Sequence, residues 1–367
     1  MIPGASDSIT DVAGVLVGHH HRLDEQVIVG TDEVVGEGWA TGTTVVLLPD
    51  GAVAAVDVRG GGPGTRETDL LDPANTVQTA HAIVLSGGSA YGLAAADGVM
   101  TYLEDAGIGL AMDTRGSVVP IVPAAVIFDL AVGQWGARPD RDFGRRAALA
   151  AGPGVELGSV GAGTGARAGA LKGGVGSASI TFTSGPATGI TVGAVVIANP
   201  VGAVVDPASG LPWGVLPSEL DHFGLRRPSD VETAALAALT AKSSPLNTTI
   251  GVVATDAALD PASTRRVAMT AHDGLARAIR PAHSPLDGDT LFAVATGSAV
   301  PTPHEKTPAI PRGMNPNVAL VAAIGEAAAT VVHRAIVKAV IAATPVAGIP
   351  TYRTTLPSAF ESSAPST

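Results

Sequence analysis

Asn247-Thr248-Thr249-Ile250-Gly251-Val252-Val253-Ala254-Thr255 is the stretch on which the fold and the chemistry turn. A polar loop, Ser243-Ser244-Pro245-Leu246-Asn247, drops abruptly into a β-branched run. Val, Ile and Thr suit a pleated, half-buried surface, so a strand is expected over 248–255. A break before Thr248 would leave a free α-amine beside that residue's own hydroxyl. Such an amine titrates near pH ~8, so part of it is neutral at physiological pH and can act as a base. One residue would then supply both nucleophile and base. The cut itself needs only attack of the Thr248 hydroxyl on the Asn247 carbonyl, giving an ester that water hydrolyses. Asn-Thr pairs are common, so the pair alone specifies little.

Further along, Asp287-Gly288-Asp289 enters a second apolar run, Leu291 to Thr296. Residues two apart on a strand face the same side. Two carboxylates on one side repel unless a cation or donors lie between them, and an ammonium on Thr248 would fit. Composition alone favours a plain polar turn before a strand.

Outward from these two strands the chain alternates apolar runs with helical patterns. Asp11 to Val17 reads as a short strand, with His19, His20 and His21 in a surface loop after it. Gly42–Leu48 and Val53–Val58 flank Pro49-Asp50-Gly51, which predicts a hairpin. The glycine-rich Arg59–Thr68 reads as a loop. Ala82–Leu85 reads as a strand, followed by a helix from about Ala90 to Glu104. Strands are expected over Ser177–Thr183 and Gly189–Asn199, and helices over Val231–Lys242, Asp260–Ile279 and Asn317–Ala343. Asp260 is a natural N-cap, with Pro261 at the first helical position. The tail from Ser358 reads as disordered. Strands with glycine-rich connections and long helices suggest a layered α/β sandwich, as one unit rather than two domains.

Composition narrows the function. Hydrophobic residues make up 46% of the 367 and charged residues only 15%, which fits a large packed core. The net charge is −11, aromatics are 3%, and basic residues cluster only in pairs, so no nucleic-acid partner is expected. No cysteine is present, which excludes disulfides, thiolate catalysis and Cys-ligated zinc. The N-terminus lacks a basic and apolar leader pattern, and Glu326, His333, Arg334 and Lys338 interrupt the most apolar stretch. The expectation is a cytoplasmic protein with no membrane partner.

Two glycine motifs are weak. Ser86-Gly87-Gly88-Ser89-Ala90-Tyr91-Gly92 misses a nucleophile elbow, because Tyr91 takes the last glycine position. It reads instead as a strand-to-helix turn with outward amides that could bind an anion or a carbonyl oxygen. Gly161-Ala162-Gly163-Thr164-Gly165-Ala166 loosely fits a dinucleotide loop, with no acidic residue at the required distance beyond it. His272 reads as a packed or solvated helical residue.

Several longer stretches carry a resemblance. They are Val58–Thr68 (VRGGGPGTRET), Leu85–Leu93 (LSGGSAYGL), Pro120–Asp129 (PIVPAAVIFD), Asn247-Thr248-Thr249, and Ala271–Ile279 (AHDGLARAI) running to Asp287-Gly288-Asp289-Thr290. In this order they resemble the DmpA-like aminopeptidases, including the nylon-oligomer endohydrolase branch, with ornithine acetyltransferases as more distant relatives. The resemblance implies a four-layer αββα sandwich, a homotetramer, no metal and no cofactor. It also implies self-cleavage into Met1–Asn247 and Thr248–Thr367.

Carried over residue by residue, Thr248 takes the nucleophile position, and Asp287 and Asp289 orient its amine and hydroxyl. Lys172 looks like the active-site lysine of the nylon-oligomer branch, able to steady Thr248 or the oxyanion. Asn199 looks like the oxyanion-hole asparagine, a donor worth about 3 kcal/mol in such sites. Ser89, Tyr91 and Phe128 fall where substrate would bind. Phe128 stands where some aminopeptidases carry a tyrosine, and threonine after asparagine replaces serine after glycine. The implied substrate is a small peptide or aminoacyl amide, with linear oligoamides, or acyl transfer to an amine, as alternatives.

Overall fold

The computed structural model describes residues 1–239, 247–299 and 310–360. Eight strands carry the architecture: β1 (Leu16–Leu23), β2 (Ala40–Val58), β3 (Thr79–Ser86), β4 (Ala124–Val126), β5 (Gly174–Thr181), β6 (Thr191–Ala198), β7 (Ile250–Ala257) and β8 (Thr290–Ala299). The main helices are α1 (Ala95–Asp105), α2 (Arg141–Leu149), α3 (Asp230–Ala237), α4 (Pro261–Ala278) and α5 (Val318–Ile341).

Hydrogen bonding links the strands in the order β5-β6-β7-β8-β2-β3-β4, with β1 beside β2. Ile2–Pro3 and Thr65–Arg66 add short edges at the two ends. Pairs β7–β8 and β3–β4 are parallel, and the other pairs among these strands are antiparallel.

Alternation along the strands divides this path into facing halves. Val195, Ile197, Val252 and Phe292 point inward to a shared core with Val46, Ile83 and Leu85 of β2 and β3. Their neighbours Ala194, Val196, Val253 and Leu291 point the other way, against Val267 and Leu275 of α4 and Val332 and Ile336 of α5. On the opposite outer face, Val45, Leu47 and Val84 pack on Val99 and Leu103 of α1 and Ala147 of α2. The result is the four-layer αββα sandwich, with period-two alternation assigning each strand residue to one of two apolar layers. Glycines let the layers close. A Cβ on Gly176 would sit 1.8 Å from the Ala335 carbonyl oxygen of α5, and one on Gly98 equally close to the Arg141 carbonyl oxygen.

The expected hairpin at Pro49-Asp50-Gly51 is absent. Ala40–Val58 is a single strand whose first half pairs with β1 and β3 and whose end pairs with β8. The pairing with β3 shifts register between Leu47 and Ala52, so the turn-like residues form a bulge that carries β2 from one half to the other. The three histidines also differ from expectation: they lie within β1, not in a loop, because that strand starts later and runs longer. His19 Nδ1 meets Thr44 Oγ1 at 2.9 Å.

The helix after Ser89 opens with a 3-10 turn over Ser89–Ala94 before α1. Helix α4 starts as expected, with Asp260 accepting from the Ser263 N–H at 2.7 Å. The expected helix through Lys242 ends at Ala237 with Ala238 as its C-cap, and residues 240–242 lie outside the described residues. The tail is ordered through Phe360: Pro357–Ala359 forms a turn, and Arg226 N–H donates to the Ala359 carbonyl at 2.8 Å. Residues 361–367 lie outside the described residues. Helix α5 is long and apolar enough to cross a membrane by length and composition, and 61% of its most apolar window is buried within this fold.

Candidate active site

The parallel pair β7–β8 puts the entrances of both strands side by side. Asn247 bridges to Asp287, three residues before each strand's regular pairing begins. Thr248 is 5% exposed, and its N–H donates to the Asn199 carbonyl oxygen at 3.1 Å. The Thr248 hydroxyl donates to the carbonyl oxygen of Asn247. The Gly288 N–H donates to that same oxygen at 3.1 Å. The bond under suspicion thus has its carbonyl held by a main-chain donor, with the hydroxyl of the next residue against it.

Both aspartates are buried, and they play different parts. Asp289 accepts the Thr249 N–H through Oδ1 at 2.8 Å. Its Oδ2 accepts from His283 twice, from the main-chain N–H at 3.1 Å and from Nδ1 at 2.8 Å. Asp287 Oδ2 accepts the Ser284 N–H at 2.8 Å. Its Oδ1 is buried with no hydrogen-bond partner among the described residues. An unsatisfied buried acceptor costs about 1–3 kcal/mol, and more when charged.

The Arg59–Gly64 loop clamps this segment from the other side. Gly60 N–H donates to the Asp289 carbonyl at 3.2 Å and Gly62 N–H to the Asp287 carbonyl at 2.8 Å. Sequence reading took the glycines only as a loop. Their bare backbones are what admit this contact: a Cβ on Gly60 would lie 2.3 Å from both the Asp287 carbonyl oxygen and the Asp289 nitrogen. Gly288 and His283 were also missed, as single residues in a short loop.

Asn199 connects the nucleophile strand to a second cluster. Its Oδ1 accepts the Arg167 N–H at 2.9 Å, and its Nδ2 donates to the Phe128 carbonyl at 3.2 Å. Beside Phe128, Asp129 takes the Thr41 hydroxyl and the Gly88 N–H, each at 2.6 Å. Lys172 is fully buried, with Nζ donating to the Gly163 and Gly173 carbonyls at 2.8 Å each. Burial pushes its pKa down to about 7, against the opposing pull of Asp129. Burial likewise raises Asp129 to about 6. Asn199 thus joins Thr248 to Phe128, while Lys172 meets the neighbouring Asp129 through charge attraction and is not hydrogen-bonded to Thr248.

The turn at Ser86–Ser89 does not present free amides, as the sequence suggested. Gly87 N–H donates to the Gly42 carbonyl, Gly88 N–H to Asp129, and Ser89 N–H to the Ile127 carbonyl. The left-handed backbone at Gly88 (φ 83°) and Ser89 (φ 52°) turns them inward. Tyr91 is exposed, with the Arg138 guanidinium 3.7 Å above its ring. Phe128 lines an open cavity of about 810 Å³ with Leu130, Trp135 and the Gly30–Gly36 loop, and Thr248 is outside that lining. Among the described residues, no cluster of three or more His, Asp or Glu could hold a metal.

The profile of peptidase family S58 matches residues 7–353. The chain belongs to peptidase family S58. A protein of Mycobacterium tuberculosis H37Rv named as an uncharacterized aminopeptidase is 58% identical over 97% of this chain and 100% of its own length. A 6-aminohexanoate-oligomer endohydrolase of a Kocuria species is 33% identical over 78% of this chain and 74% of the relative. Among solved structures, a Burkholderia β-aminopeptidase aligns with TM-score 0.70 and 26% identity, covering 96% of this chain and 92% of the other. An L-aminopeptidase D-Ala-esterase/amidase of Ochrobactrum anthropi, described as a new variant among the Ntn hydrolase fold, aligns with TM-score 0.67 and 24% identity. It covers 97% of this chain and 91% of its own. This S58 protein is an amide-bond hydrolase with that fold.

Proposed function

We propose that this S58 hydrolase cuts its own chain between Asn247 and Thr248 and then works as an N-terminal-threonine aminopeptidase on short peptides or aminoacyl amides. The observation that carries it is the Thr248 hydroxyl lying against the Asn247 carbonyl, whose oxygen also takes the Gly288 N–H.

In maturation the Thr248 oxygen adds to the Asn247 carbonyl carbon. Its proton passes to the departing nitrogen as the C–N bond breaks, leaving an ester and a free amine. Water then hydrolyses the ester, giving the Asn247 carboxylic acid and the Thr248 hydroxyl. In turnover the neutral amine takes the hydroxyl proton while the oxygen adds to the substrate carbonyl. The C–N bond breaks, the proton leaves with the product amine, and water releases the acyl group. Asp287, with one carboxylate oxygen unpartnered among the described residues, is assigned as the acceptor of the Thr248 ammonium. Asp289 holds the strand entrance through Thr249. Asn199 and Lys172 are assigned to steady developing negative charge, for which the Asn199 amide turns from the Phe128 carbonyl and Lys172 uses the ammonium hydrogen left over from the Gly163 and Gly173 carbonyls. The cavity at Phe128 receives the side chain next to the scissile bond, with Ser89 and Tyr91 on the approach.

A second reading, an endo-amidase on linear oligoamides, is favoured by the 6-aminohexanoate-oligomer endohydrolase relatives. The higher identity to proteins named as aminopeptidases keeps it second. The resemblance also supports a homotetramer, which light scattering tests.

Mass spectrometry of the purified protein tests maturation, with fragments 1–247 and 248–367 as the expected masses. Thr248→Ala should stay whole and inert. An intact, fully active chain overturns the proposal. Aminoacyl amides set against N-blocked oligoamides separate the two readings, and added ornithine as acceptor tests for acyl transfer.

A further inference from the structure

We propose that His283 is a positioning residue, whose imidazole fixes the Asp289 carboxylate and through it the entrance of the nucleophile strand. This rests on Thr248 as the nucleophile and adds a residue to that machinery.

Asp289 is a bridge with both oxygens engaged. Oδ1 holds the N–H of Thr249, the residue beside the nucleophile, at 2.8 Å. Oδ2 is held by His283 alone among the described residues, through Nδ1 at 2.8 Å and the main-chain N–H at 3.1 Å. A charge-assisted bond of this kind is roughly twice as strong as a neutral one.

His283 adopts φ +57°, the left-handed region, which strains a non-glycine residue. That backbone geometry is what allows its N–H and its ring nitrogen to reach one oxygen. The ring is aimed from behind by His272, edge-on at 4.9 Å. His272 is buried, and its Nε2 donates to the Asp57 carbonyl at 3.0 Å. Burial drives the His272 pKa down to about 4, so it packs as a neutral ring and brings no competing charge. A ring needed only for packing would not spend its one directed donor on the carboxylate that secures Thr249. Without that donor, Asp289 Oδ2 keeps only the longer bond from the residue-283 main-chain N–H, and the strand entrance loosens. A misplacement of about 1 Å in such a site can cost about a hundredfold in rate.

The test compares three variants of the full chain. Glycine accepts φ +57° without strain, so His283→Gly removes the ring and keeps the backbone. Asparagine also tolerates this region and offers an amide nitrogen near the Nδ1 position. Glutamine offers its nitrogen one bond too far out. His283→Gly should lower kcat on an aminoacyl amide by about 30-fold, equivalent to about 2 kcal/mol, with KM within about threefold. His283→Asn should recover most of that loss, and His283→Gln should not.

Wild-type kcat in His283→Gly, or a loss confined to KM, overturns the proposal. If the glycine variant fails to fold, equal kcat in the Asn and Gln variants overturns it. Thr248→Ala run in parallel keeps the two levels apart. If Thr248→Ala is inert and uncut while His283→Gly behaves as wild type, only the role of His283 falls. If Thr248→Ala remains active, the nucleophile assignment falls first.

Discussion

The main-chain N–H of Gly288 donates to the carbonyl oxygen of Asn247 at 3.1 Å, joining the loop before β8 to the bond before Thr248. When a nucleophile adds to that carbonyl, the oxygen becomes an anion and the same N–H is already aimed at it. Removing one such donor costs about a hundred- to a thousandfold in rate in well-studied sites. Gly288→Ala should displace it, because a Cβ there would lie 2.7 Å from the Thr248 hydroxyl and 2.9 Å from the Gly62 carbonyl oxygen. The expected result is accumulation of the uncut chain on denaturing gels, with processing slowed about tenfold or more. Wild-type processing in a folded Gly288→Ala protein would remove the N–H from the mechanism.

The Gly60 backbone lies against the Asp287–Asp289 backbone, where nothing can swing aside. Gly60→Ala should therefore strain the clamp, at the about 1–3 kcal/mol typical of overpacking. Both thermal stability and processing should fall. Gly136→Ala is the matched control, since a Cβ there meets nothing within 4 Å. Equal melting temperatures for the two variants would show that the clamp carries no load.

Most of the layers could be read from the chain, and the reasons for the failures are specific. Helix α4 announced itself through Asp260 and Pro261, because caps are local chemistry. Pro49-Asp50-Gly51 failed because the same residues serve a hairpin turn and a bulge. The choice between them is made by which strands Ala40–Leu47 and Val53–Val58 pair with, and those are distant in sequence. The amides of Gly87 to Ser89 were misjudged for the same reason: the groups that consume them, Gly42, Asp129 and Ile127, lie on other elements. Asn247, Thr248, Asp287 and Asp289 were legible as the residues leading into two strands. The difference between the two acids was not, because it depends on Ser284 and His283 folding back over them.

Lys172 and Asp129 should leave opposite marks on stability as pH changes. Burial lowers Lys172 from 10.5 to about 7, so between those values the unfolded chain binds more protons than the folded one. Its contribution is complete above the unfolded value and is lost as pH falls through about 7. Asp129 is raised from 3.8 to about 6, so its contribution is complete below the unfolded value and is lost as pH rises through about 6. Urea unfolding from pH ~7 to ~9 should show the wild type gaining stability relative to Lys172→Met, which lacks that slope. Parallel stability profiles would mean that the buried amine keeps an ordinary pKa.

Asp287→Asn separates what the site needs from what the fold prefers. Asp287 Oδ1 is a buried carboxylate oxygen with no partner among the described residues, and Oδ2 has only the Ser284 N–H. Asparagine keeps an acceptor for Ser284 and removes a charge that burial penalises. The melting temperature should hold or rise by the few degrees that about 1 kcal/mol provides in a chain of this size. Activity should fall about a hundredfold or more, because a neutral amide no longer anchors the Thr248 ammonium. This opposition of stability and function is characteristic of a residue kept for its chemistry. Calorimetry and single-turnover kinetics on the same preparation decide it. A variant that loses stability and activity together would make Asp287 a structural residue, and one that keeps full activity would leave the amine to Asp289.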